Sequence, residues 1–221
     1  MVAATNSLIR SKVQLAKEAY LKCVLMDVDG LALLNCFKGL HGGYEQSQTG
    51  RPIAILNVGG SCTTLAIMGD NGWPFIRDMT YAGDDIIKHL ALESDMSTEA
   101  VKGILSGGSP AGGQGSPTPQ IGLCDSLKKA CQKLIVDVAE TLRYYVAQEK
   151  SSLVDKILVC GGFASAKGFV ELLNSRLPVE AVLWNPFDDK IRCDAGQLCK
   201  DTLTKAGPAM AVAAGLAMRS I

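Results

Sequence analysis

Excess charge, histidine, paired cysteines and long apolar runs are all scarce in this chain of 221 residues. Lys plus Arg and Asp plus Glu both number 22, so the formal net charge is zero and no basic footprint for nucleic acid is present. Aromatic residues make up 5% of the chain, and no aromatic-and-basic strip suited to a single strand can be found. There are only two histidines, His41 and His89, and the eight cysteines include no C-x-x-C pair, which removes the ligand spacing of a structural zinc site. No window reaches the roughly 20 apolar residues needed to cross a bilayer. The opening MVAATNSLIRSKVQLAKEAYLK lacks the apolar core of a signal peptide. The cysteines therefore read as reduced, small apolar residues, and the expected location is the cytoplasm, with no nucleic-acid partner and no direct membrane insertion.

The composition itself, 48% hydrophobic and 20% charged, is that of a globular chain with a core, long enough for one large domain or one domain and part of a second. Residues 6 to 20 carry Leu8, Ile9, Val13, Ala16 and Tyr20 near helical spacing. CVLMDVDGLALLNCF predicts a strand near Cys23 to Met26, an acidic turn, and a helix with Asp29 as its N-cap. Asp27 and Asp29 there can be a carboxylate pair, or simply a strand end and a cap. KGLHGGYEQSQTGRP is polar and glycine-rich, a linker or loop. From Pro52 the pattern turns to strands, at Ile53 to Val58, Thr63 to Met68 and Trp73 to Thr80, with Asn71-Gly72 as a hairpin signal between the last two. Helices are predicted over Asp84 to Leu92 and from an N-cap at Ser97 through Leu105. GGSPAGGQGSPTPQ, residues 107–120, has too few apolar groups to order itself and reads as a flexible loop. The helix over 123–147 places Leu127, Cys131, Leu134, Val138, Leu142 and Tyr145 on one face. A buried strand, a glycine turn and an amphipathic helix follow in LVDKILVCGGFASAKGFVELLNSRL, then a short strand at Val179 to Leu183 and a small-residue helix in GPAMAVAAGLAMRS. This order predicts an α/β domain with a mixed sheet flanked by helices.

Two glycine turns carry the functional signal. In Gly59-Gly60-Ser61-Cys62-Thr63 the glycines allow close approach of a ligand, and successive amides can converge on phosphate oxygens with the Ser61 and Thr63 hydroxyls in support. Alone, the same stretch reads first as an ordinary hairpin. Cys160-Gly161-Gly162-Phe163-Ala164-Ser165 lies between a buried strand and a helix predicted to begin near Lys167, whose N-terminal dipole favours an anion. It is neither the dinucleotide fingerprint nor a P-loop, and alone it too can be a tight turn.

In this order NVGGSCTTLAI, the YAGDDI junction, the long helix ending in LRYY, DKILVCGGFASAKGF, the NPF at Asn185 to Phe187 and PAMAVAAGLAMR resemble the second half of the actin-like ATPase superfamily, which includes actin, the Hsp70 ATPase domain, sugar kinases and FtsA. Within it the chain is similar to the type IV pilus assembly protein PilM family, over roughly residues 8 to 219. The resemblance implies an actin-like, ribonuclease H-like lobe over residues 51–206, with remnants of a second such lobe in residues 1–50 and in a helix at 207–221 that returns to it. It implies that Asn57, Gly59, Gly60, Ser61 and Thr63 form a phosphate hairpin and that Gly161, Gly162, Phe163 and Ser165 lie beside an adenosine. Glu99 and Lys102, one turn apart, resemble the pair that reaches base and ribose; as residues alone they are also a surface i,i+3 ion pair.

Two departures follow. The family pattern has Asp where Asn57 stands, and a neutral amide gives up the charge that attracts a hydrated Mg2+. The strand pair with Asp-x-Gly that opens the family's first lobe is not among these residues; the Asp-x-Gly at Asp70-Asn71-Gly72 serves as a turn. The expectation is therefore weak binding of ATP with Mg2+, no catalytic residue, no metal held by the protein alone, and inefficient hydrolysis. The strand edge near Val24 and the helix Ala209 to Ala217 are expected to expose apolar surface, through a missing lobe or a covering partner. By resemblance the function is a cytoplasmic scaffold of type IV pilus or related secretion assembly. Its partner would be a PilN-like cytoplasmic tail, which holds it at the inner face of the membrane. An ATPase completed by another lobe, or an inactive fragment, are the alternatives.

Overall fold

A computed structural model describes residues 4–41, 50–69, 72–107, 119–149, 153–188 and 197–219. The predicted linker residues 42–49, the hairpin residues Asp70 and Asn71, and 108–118 of the glycine-rich loop lie outside them. The predicted strands form as β1 (Ile53–Val58), β2 (Thr63–Met68), β3 (Pro74–Met79), β4 (Lys156–Cys160) and β5 (Glu180–Leu183), in one sheet of order β3-β2-β1-β4-β5. β1 pairs antiparallel with β2, and β2 with β3, whereas β1–β4 and β4–β5 are parallel. A parallel return requires a crossover, and the chain supplies it as α3 (Gly83–Ser94), α4 (Thr98–Leu105) and α5 (Pro119–Glu149) between β3 and β4.

Alternation along the strands divides the core into two layers. Leu56, Leu65, Ile67 and Val159 face Leu90 of α3, Val101 of α4, Leu134 and Val138 of α5, and Phe169 of α6 (Phe169–Arg176). Ile55, Ala66 and Cys160 face the other way, against Leu33, Leu34 and Phe37 of α2 (Asp29–His41) and Ala211 and Ala214 of α8 (Ala211–Ala217). Burying each of the larger side chains contributes about 1.5–3 kcal/mol. With both faces covered, the central strands are apolar on both sides, as in TTLAIM.

The C-terminal helix meets expectation on one side only. Ala209, Ala213, Leu216 and Ala217 are exposed, while Ala211, Ala214 and Gly215 are buried against α2, so the two helices, read from the sequence as remnants of a first lobe, lie on the same sheet as the rest. Gly215 makes the crossing possible, because a side chain there would collide with the Ala32 backbone.

The predicted strand near Cys23 to Met26 does not form; residues 21–28 are irregular. A strand requires a neighbour for its amides and carbonyls, and none stands beside this segment among the described residues, where Val24, Leu25 and Met26 are exposed. Before it, α1 (Asn6–Glu18) forms as predicted, capped by Thr5, yet buries no residue. Asp29 is the first helical residue of α2 rather than its cap. Asp27 does not pair with it: the Asp27 carboxylate accepts the Val28 amide at 2.9 Å and forms an ion pair with Arg219 beyond α8. One helix escaped the sequence altogether, α7 (Gln197–Ala206), which leads through a 3-10 turn at Gly207–Met210 into α8.

Candidate functional site

The parallel strands β1 and β4 end side by side, and each runs into a glycine pair. The carboxyl ends of adjacent parallel strands are where α/β sheets open a crevice. The first turn closes with the Gly59 amide donating to the Cys62 carbonyl at 3.0 Å. Helix α3 is then fastened to it: the Gly83 amide donates to the Gly59 carbonyl at 2.9 Å and the Asp84 amide to the Gly60 carbonyl at 2.8 Å. These carbonyls consume the first donors of the helix. The amides of Gly60, Ser61 and Cys62 have no acceptor among the described residues, so they remain available to an anion.

The second turn is built differently. Gly161 has φ +99°, and a side chain there would meet the Val58 carbonyl and, at 2.7 Å, Asn57 Oδ1, so only glycine lets β4 turn against β1. The Gly161 amide donates to the Pro208 carbonyl at 2.8 Å and the Phe163 amide to the Val58 carbonyl at 3.0 Å. The helix expected near Lys167 begins at Phe169, after further turns. The helix N-terminus thus stands a few residues beyond the glycine pair, and the turn itself is closed by the Gly161 and Phe163 amides. Over Gly162 the space is open, with no atom within 4 Å of where a side chain would start.

Between the two turns lies a cavity of about 890 Å³. Gly59, Gly60, Gly161, Gly162, Phe163 and Ser165 line it as predicted together, with Lys102 joining them from α4. Asn57, Ser61, Thr63 and Glu99 do not line it. Asn57 points to the α2 face, in one cross-strand row with Cys160, Thr64 and Asp78, and its Oδ1 lies 3.9 Å from Cys160 Sγ. Thr63 is fully buried and donates its hydroxyl to the Tyr81 carbonyl at 2.9 Å, which removes it from the phosphate support expected of it. Ser61 is exposed at the tip of the hairpin. Glu99 shares a 3.0 Å hydrogen bond with the Thr98 hydroxyl, and no ion pair joins it to Lys102 among the described residues. Its own backbone amide, then Thr98, hold its carboxyl below the ordinary value.

Sequence reasoning missed Gly83, Asp84, Thr204, Lys205 and Ala206, all on the cavity wall. Asp84 stood in the YAGDDI junction as a helix-start acid, while Lys205 carried no signal because α7 was not foreseen. The volume falls within the range of small-molecule sites, and the glycine walls suit the flat faces of a nucleotide. A metal fits less well: Asp84 is the one acidic side chain on the wall, and no group of three His, Cys, Asp or Glu side chains able to hold an ion occurs among the described residues.

The sequence model of the family described as type IV pilus assembly protein PilM matches residues 1–221. Among solved structures, the chain is similar to one in the PilM-PilN type IV pilus biogenesis complex, with a TM-score of 0.73 and 22% identity, over 96% of this chain and 57% of that one. It is also similar to the ethanolamine utilization protein EutJ from Carboxydothermus hydrogenoformans (TM-score 0.67, 15% identity, 99% of this chain and 63% of that one). MreB5 of Spiroplasma citri bound to ADP is a third such structure (TM-score 0.61, 17% identity, 98% and 65%). The common property at these identities is the fold, which is actin-like, and the chain spans less than two thirds of the length of each.

Proposed function

The chain belongs to the type IV pilus assembly protein PilM family, and on that premise we propose that it is an actin-fold scaffold of type IV pilus, or related secretion, assembly with a partial nucleotide cleft. The observation that carries the nucleotide half of this is the glycine-walled cavity at the ends of β1 and β4. In it the amides of Gly60, Ser61 and Cys62 receive phosphate oxygens, Gly161 and Gly162 form the surface beside the adenosine, and Lys102 reaches toward base and ribose. When bound, ATP with Mg2+ would supply a phosphoanhydride. The residues of this chain bind and orient it, and none is placed to activate water, since the Asn57 amide is turned to Cys160. Binding is then weak and hydrolysis inefficient.

The partner we assign is a PilN-like cytoplasmic tail, by analogy with the protein joined to PilM in the solved complex. Through that partner a cytoplasmic chain would sit at the inner face of the membrane. Among the described residues no helix is long and apolar enough to cross it. A second reading, a nucleotide site completed by a lobe from another chain, draws on the exposed Leu21, Val24, Leu25 and Met26.

Thermal melting of the 221-residue chain with and without Mg-ATP tests the cleft. At ten times the dissociation constant a ligand adds about 1.4 kcal/mol, a rise of roughly 3–6 °C for a chain of this size. No shift at millimolar nucleotide removes the nucleotide half, and sustained phosphate release by the chain alone replaces the scaffold with an enzyme. Co-purification with a PilN-like tail peptide tests the other half.

A further inference from the structure

We infer that the cleft holds its nucleotide without help from a metal ion: the ammonium groups of Lys205 and Lys102 balance the phosphate charge that the family pattern assigns to Mg2+. This rests on the nucleotide reading of the cavity and reverses what the family resemblance implies about magnesium.

The acidic side of a metal site is thin here. Asn57 stands where the family pattern has Asp; it is neutral, turned to Cys160 on the α2 face, and does not line the cavity. Asp84, the one acid on the wall, is exposed, and no group of three His, Cys, Asp or Glu side chains able to hold an ion occurs among the described residues. A hard dication is drawn by carboxylate charge and a set of oxygen ligands. One carboxylate sharing a wall with two ammoniums supplies neither.

The cationic side is better provided. Lys102 comes from α4 and Lys205 from α7, so two separate elements each bring an ammonium to the same cavity. Neither side chain forms a hydrogen bond or ion pair among the described residues. The backbone that carries Lys205 is tied to the second glycine turn: α7 runs into the 3-10 turn whose Pro208 carbonyl accepts the Gly161 amide at 2.8 Å, and the Leu203 carbonyl accepts from Asn185 at 3.1 Å. The free amides of Gly60, Ser61 and Cys62 stand at the first turn. Asp84, Lys102 and Lys205 are the charged residues of the wall, which leaves it one net positive charge. Lysine binds phosphate as a point charge, and a polyphosphate entering this cavity meets that charge together with the amides. Magnesium that arrives with ATP lowers the negative charge of the ligand and so adds no affinity.

Calorimetric titration of the 221-residue chain with ATP, in excess MgCl2 and in EDTA, tests this on the unaltered protein, Lys205→Met, Lys205→Arg and Lys102→Met, with melting temperatures as a folding control. The unaltered protein should bind ATP at least as tightly in EDTA as in magnesium. In EDTA each methionine variant should bind about tenfold more weakly, the loss of one charged contact, and its affinity should fall less steeply as salt is raised. Lys205→Arg, which keeps the charge, should stay close to the unaltered protein. If the unaltered protein binds ATP only with magnesium, or if either methionine variant binds in EDTA as tightly as the unaltered protein or keeps its full salt dependence, the role of the ammoniums is refuted and the nucleotide site stands. If the unaltered protein binds ATP in neither buffer, the nucleotide reading itself is refuted, and this inference with it.

Discussion

Replacing Gly215 with alanine is the most direct test of how α8 sits on the fold. Taken by itself, the change should help, because alanine exceeds glycine in a helix by roughly 1 kcal/mol. At this crossing the added methyl would run into the backbone of Ala32, whose carbonyl it overlaps and whose Cα it approaches at 3.2 Å. Backbone cannot rotate away as a side chain can, so α2 and α8 must separate. Overpacking of this kind costs about 1–3 kcal/mol, and separation also uncovers Ala211 and Ala214, which are 1% and 8% exposed. The net expectation is a loss of about 1–2 kcal/mol, a fall of roughly 2–8 °C in melting temperature. Gly103 supplies the control. It lies exposed on α4 with nothing within 4 Å of an added methyl, so Gly103→Ala should stabilise by up to about 1 kcal/mol. Urea unfolding followed by tryptophan fluorescence reads both, since Trp184 is buried in the α2–α8 layer, edge-on to Phe37 at 6.3 Å between ring centres. If Gly215→Ala raises stability as Gly103→Ala does, the close crossing, and with it the burial of α8, is wrong.

Asn185 joins the sheet to α7: its amide nitrogen donates to Asp188 Oδ1 at 2.8 Å and to the Leu203 carbonyl at 3.1 Å, and its oxygen accepts the Phe187 amide at 3.0 Å. Asn185→Ala should cost about 2 kcal/mol and bring earlier proteolysis within 197–206 than elsewhere. On the surface, the Lys129 ammonium holds the Glu93 carboxyl below its ordinary value. That contribution is complete above the ordinary carboxylate range and is lost as pH falls through the lowered value; an NMR titration should show Glu93 returning to the ordinary range in Lys129→Met. Of the described cysteines, exposed Cys23 and Cys62 should react with a thiol reagent in the native protein. Cys36 and Cys131, buried with thiols pushed up to about 11 and about 12, should react only after unfolding, and labelling of either in the native state would contradict the packing.

The site was half legible in the sequence, and the division follows the physics. Glycine pairs at strand ends mark places where backbone must come close to something, and that holds whatever the rest of the chain does. Gly59, Gly60, Gly161 and Gly162 were therefore found, and they face one cavity. Polar side chains carry no such mark. The Thr63 hydroxyl belongs to the Tyr81 carbonyl, a partner set by how β2 lies against the start of α3, and the Asn57 amide belongs to Cys160, a partner set by the β1–β4 register. Asp84 looked like any helix-start acid until Asp85 took the cap.

Residue order alone determined the alternation in β1 and β2, the one-faced period of α5, the Ser97 cap of α4 and both glycine turns, because each is decided by neighbours a few positions away. Only the tertiary structure decided which partner each apolar face meets. Residues 21–28 hold strand-forming side chains and stay irregular, with no neighbouring strand among the described residues, while α8, expected to lie open, buries Ala211 and Ala214 because Gly215 lets α2 come within contact, and leaves Ala213 and Ala217 exposed. Periodicity says that a face must be covered, and what covers it depends on residues far away in the chain.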